Sequence, residues 1–99
     1  MIQTRATLIT EKYNTLQKEL ESILGKKDTD AALFPSLDDI DLSDLVYFVT
    51  ITFVGLETEE QFRKEITSLV SCHGFSVTDK QMDALVPKIR LFVIWLRAL

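Results

Sequence analysis

The stretch DLSDLVYFVTITFVGL, Asp41 to Leu56, decides how this chain folds. From Leu45 to Val54 it carries no charge and only two polar side chains, Thr50 and Thr52. Two periods fit it. Val49, Ile51 and Phe53 alternate with the two threonines, and β-branched and aromatic residues favour a strand. Leu42, Leu45, Val46, Val49, Phe53 and Leu56 instead recur at helical spacing. In that case Tyr47, Phe48, Ile51 and Val54 cover the remaining sides, and a helix apolar nearly all round belongs in the middle of something. Pairing decides between the two. No second segment reads as a strand, and a lone strand cannot satisfy its own backbone groups. The stretch is therefore expected to be a helix over 37–55. The alternative is a strand donated to a partner's sheet edge.

The flanking segments read as helices more directly. Ile2, Ala6, Ile9, Tyr13, Leu16, Leu20 and Ile23 alternate spacings of three and four, a heptad seam that predicts a helix over 3–24. Gly25 suits its C-cap, and Lys26 and Lys27 complement the negative end of its dipole. A linker follows over 25–36, with Pro35 stopping any helix through it. Ser36, Asp41 and Ser43 are each competent N-caps for the next helix. A third helix is expected over 58–73, opened by Thr58 with Gln61 three residues on, and a fourth over 78–98, opened by Thr78 with Gln81. The two starts, TEEQF and TDKQM, are one capping solution used twice, not an internal repeat. Val77 is placed to staple onto Met82. Phe62, Ile66, Leu69, Val70 and His73 form the apolar face of the third helix, which Gly74 ends. Met82, Leu85, Val86, Ile89, Phe92 or Val93, and Leu96 form that of the fourth. Pro87 lies inside the fourth helix, removes a backbone donor and predicts a kink. The fold class that follows is all-α: a small antiparallel bundle of four helices in a single domain, 1–99.

Composition excludes several functions. Eleven Lys and Arg against 15 Asp and Glu leave a net charge of −4, which opposes non-specific binding to nucleic acid or anionic membranes. The one cysteine, Cys72, cannot form an internal disulfide, and no signal peptide or run long enough to span a bilayer appears. A soluble, cytoplasmic chain is expected. The third and fourth helices form a loose helix–turn–helix, but Asp79 and Asp83 at the reading position oppose DNA, leaving a DNA-binding regulator as the weakest alternative.

No residue pattern points to catalysis. Cys72 and His73 are neighbours, yet adjacent side chains on a helix diverge by about 100° and do not face each other. One Cys and one His are too few for a zinc site. Asp39, Asp41 and Ser43 echo the start of a calcium loop, but Asp44 stands where glycine is required and Thr50 where glutamate is. No catalytic, metal or cofactor role is assigned to any residue.

Surface remains. The heptad seam, the apolar second helix and the apolar run LFVIWL at the end of the fourth offer more apolar faces than one interior needs. The expectation is a non-enzymatic protein–protein interaction module: an acidic helical adaptor, inhibitor or assembly factor. Tyr47, Phe48, Phe92, Trp95, Leu96 and Arg97 are its candidate partner-binding residues. The alternative is a self-associating structural subunit, a homo-oligomer formed through the seam of the first helix and the end of the fourth.

Overall fold

The structure, a computed structural model, describes residues 4–25, 37, 40–72 and 76–99. The described residues form four α-helices: α1 (Arg5–Leu24), α2 (Leu42–Thr52), α3 (Glu59–Cys72) and α4 (Asp79–Arg97). The bundle is all-α, with a radius of gyration of 13.2 Å. That matches the roughly 13 Å of a compact 100-residue domain. The expected linker after Gly25, and the roles expected of Ile2, Ser36, Asp39, His73 and Gly74, lie outside the described residues.

Helix boundaries follow the local chemistry. The side chain of Thr4 accepts from the amide of Thr7 and opens α1; Gly25, at φ 74°, closes it in the left-handed conformation that glycine adopts without penalty. Asp41 is the N-cap that α2 uses, in extended conformation and without a side-chain cap bond. Both threonine–glutamine boxes form. The Thr58 amide donates to Gln61 Oε1 at 3.0 Å and the Gln61 amide donates back to Thr58 Oγ1 at 3.2 Å. Thr78 and Gln81 make the same pair at 2.9 and 3.1 Å. Gln81 does more: its Nε2 donates to the carbonyl of Ile23 at 3.3 Å, tying the start of α4 to the last turn of α1.

α1 and α3 both pack on α4. Along α1 and α4 the contacts run in opposite directions. Lys12 lies over Trp95, the Tyr13 and Phe92 rings stand 5.8 Å apart, Glu19 pairs with Lys88 at 2.6 Å, and Ile23 meets Gln81. The two helices are therefore antiparallel. Arg63 of α3 pairs with Asp83 of α4 at 2.6 Å. The buried side chains form one cluster drawn from all four helices. The seam of α1 supplies Ile9, Tyr13, Leu16 and Leu20; α3 supplies Phe62, Ile66 and Val70. Seven residues of α4, among them both Phe92 and Val93, are buried, more than any other helix contributes.

One expectation needs correction. α2 is not surrounded. Only Leu45 and Val49, with Phe53 just past its end, are buried, one stripe at a spacing of four. The remaining helices cover only that side, so the middle of the bundle is α4. α4 runs without interruption through Pro87.

Candidate functional site

With Leu45 and Val49 turned inward, helical geometry puts Tyr47 and Ile51 on the opposite side of α2. They are 68% and 51% exposed, and Val54, in the turn that follows the helix, is 69% exposed. Phe48 flanks them, half-buried and packed against the core. From Asp44 to Ile51 this face is roughly 10 Å long at 1.5 Å per residue. Asp44 stands at its N-terminal end and Glu57 beyond its C-terminal end, both exposed.

A second apolar surface lies on α4. Leu91 is 65% exposed and Ile94 is exposed beside it. Trp95 is half-buried, its ring 6.0 Å from that of Phe92. Leu91 and Trp95 line a groove between α1 and α4 with Leu16, Lys12 and Lys88. The Lys12 ammonium sits 5.6 Å from the centre of the Trp95 ring, within cation–π range.

The sequence candidates separate on this structure. Tyr47 is on the exposed face and Phe48 at its edge. Trp95 is part wall of the groove and part core. Phe92 and Leu96 are buried, 5% and 6% exposed, and belong to the interior of this chain. The reason is crowding at the end of α4. LFVIWL is apolar all round, and sequence alone does not say which side of it meets α1 and α2. Arg97 bonds within the chain. Its guanidinium donates to the carbonyl of Leu56 at 2.9 Å and to that of Phe53. Arg90, seven residues earlier on the same face, donates to the carbonyl of Glu57 at 3.2 Å. The two arginines bond carbonyls of the turn that follows α2.

Ile51, Val54, Leu91 and Ile94 were missed as candidates. A signal for the first two was present: once Leu45, Val49 and Phe53 are taken as the buried stripe, they fall on the far side with Tyr47. Of the α1 seam expected to serve an oligomer, Ile9, Tyr13, Leu16 and Leu20 are buried within the chain, Ile23 is half-buried and Ala6 is exposed. Among the described residues no group of three or more His, Cys, Asp or Glu side chains is arranged to hold a metal ion. No helix of the described residues is long and apolar enough to cross a membrane. Comparison with known protein families, curated proteins and solved structures gives no match for this chain.

Proposed function

We propose that this chain is a non-enzymatic protein–protein interaction module, a small acidic helical adaptor, inhibitor or assembly factor that docks on another protein through its exposed apolar surface. The observation that supports it is the exposed set Tyr47, Ile51 and Val54. A helix that needed only to close the bundle would carry polar residues on its outer face. This one and the turn after it expose an aromatic and two β-branched side chains. Large apolar side chains contiguous on a surface mark interaction sites, and an aromatic among them supplies an anchor. The test uses Tyr47→Asp and Ile51→Asp against wild type. Wild type takes up an apolar fluorescent dye and retains a partner on a column of the immobilised chain; each variant takes up less dye and retains no partner while its far-ultraviolet circular dichroism is unchanged. Equal dye uptake and retention by variants and wild type refute the reading.

The second reading, a self-associating subunit, is favoured by a separate observation. Nine of the 15 acidic residues fall between Asp28 and Glu60, a stretch without Lys, Arg or His. All 11 Lys and Arg fall outside it, among the other six acids. Such a chain carries opposite charges on different parts of itself.

A further inference from the structure

α2 sets apolar residues two apart on opposite sides. Leu45 and Val49 are buried, as is Phe53 just past the helix end, while Tyr47 and Ile51 stand in water. A step of two residues turns a helix by about 200°, so a run that is apolar at every second position cannot be covered on one side while it is helical. In an extended strand the same step returns to one face. Leu45, Tyr47, Val49, Ile51 and Phe53 then form an unbroken apolar row, and Thr50 and Thr52 fall on the other face.

The helical state of this segment is held from outside it. α2 has 11 residues, and isolated helices shorter than about 12–15 residues are marginal in water. Seven of the 11, the unbroken run Val46–Thr52, are β-branched or aromatic, the types that favour strands. The N-cap Asp41 makes no side-chain cap bond. Thr50 Oγ1 donates back to the carbonyl of Val46 at 2.7 Å, a bond that slightly destabilises a helix. Tertiary contacts supply what the segment lacks. Leu45, Val49 and Phe53 are buried in the common core, and Arg90 and Arg97 donate to the carbonyls of Glu57, Leu56 and Phe53.

We propose that Leu45–Val54 has a second state: released from the bundle, it extends and pairs as a β-strand with the same segment of a second copy of this chain. No other segment of the chain reads as a strand, so the backbone groups released from α2 pair between molecules. Identical segments suit that pairing. The run has no charge, no proline and no glycine, the composition of segments that stack as strands and close their apolar rows into dry interfaces. Each added strand leaves an edge open, so the assembly grows into fibrils. The proposal concerns the released segment and does not rest on docking by the folded α2 face.

The test incubates the full chain with agitation below its melting midpoint. It reads the fluorescence of a cross-β dye, the infrared band of intermolecular β-structure and the residues that survive protease digestion of the product. Wild type assembles after a lag, gains the intermolecular band and protects a core that includes 45–54. Arg97→Met loosens the turn after α2, raises the population with α2 released by roughly tenfold and shortens the lag. Ile51→Asp puts a charge into the apolar row, keeps the far-ultraviolet circular dichroism of the folded chain and does not assemble over the same period. Leu91→Asp adds the same charge at an exposed site of α4 outside the segment and assembles with the wild-type lag. Tyr47→Asp replaces Ile51→Asp should that variant fail to fold. Arg97→Met that stays helical and in solution, a product without the intermolecular band, a protected core that excludes 45–54, or Ile51→Asp that assembles as fast as Leu91→Asp each overturn the proposal. Partner retention by the folded chain is a separate readout, and neither result changes it.

Discussion

Replacing Arg97 by methionine separates an inward from an outward role for this side chain. Methionine keeps most of the apolar stem and removes the guanidinium. Two hydrogen bonds disappear, to the carbonyls of Leu56 and Phe53, together with a positive charge at the C-terminal end of α2. A hydrogen bond to a charged group contributes about 1.5–3 kcal/mol when its loss strands a buried partner. Arg97 is exposed, and the freed carbonyls regain water, so each bond contributes nearer the ordinary 0.5–1 kcal/mol. The cation at a helix C-terminus adds about 0.3–1 kcal/mol. The expected loss is about 1–3 kcal/mol, and for a domain of this size each kcal/mol lowers the melting temperature by about 4–8 °C. Thermal unfolding followed by circular dichroism reads that shift. Urea unfolding should show a lower midpoint at unchanged slope, because the surface exposed on unfolding is nearly the same. Arg97→Lys keeps the charge but not the two-pronged donor, and should fall between wild type and Arg97→Met. A melting temperature unchanged in Arg97→Met, with partner retention lost, would refute this account and return Arg97 to the interface.

Other substitutions probe the same framework. Phe53 is fully buried and stacks on Phe62 with ring centres 5.4 Å apart, so Phe53→Ala should cost about 3–5 kcal/mol and lower the melting temperature read by circular dichroism by about 12–40 °C. Thr78→Ala removes the cap of α4 and should cost about 1 kcal/mol in urea unfolding. Gly55 sits at φ 74° with open space around its missing Cβ, so Gly55→Ala meets no clash and should still lose about 1 kcal/mol to backbone strain alone. Ile51→Asp and Leu91→Asp, both at exposed positions, should move the unfolding midpoint by no more than about 0.5 kcal/mol while changing dye uptake or self-association.

Trp95 shows where such separations become difficult. It is half-buried against Phe92 and also forms the groove under Lys12. Trp95→Ala therefore perturbs both stability and surface, which makes Leu91 the cleaner probe of the groove.

Helix starts and the buried stripes were legible in the chain because they depend on neighbours within one or two turns. Thr58 with Gln61 and Thr78 with Gln81 close their boxes as the spacing predicts, and Gly25 ends α1 in the left-handed conformation. The seam Ile9, Tyr13, Leu16 and Leu20 is buried as a seam. The helical state of Leu42–Thr52 was also settled before any coordinates, though against its local propensity. The deciding fact was negative and global: nothing else in the chain could pair with a strand.

What the tertiary structure decided is which apolar side faces in. A helix apolar all round has no periodicity to orient it, so α2 and the end of α4 could be turned only by the shapes of their neighbours. Packing buries Leu45, Val49 and Phe53 and leaves Tyr47, Ile51 and Val54 in water; it buries Phe92 and Leu96 and leaves Leu91 and Ile94 outside. The same holds for Arg97. Its charge and position are local facts, but the carbonyls it reaches lie more than 40 residues away, and only the meeting of α4 with the end of α2 brings them within bonding distance.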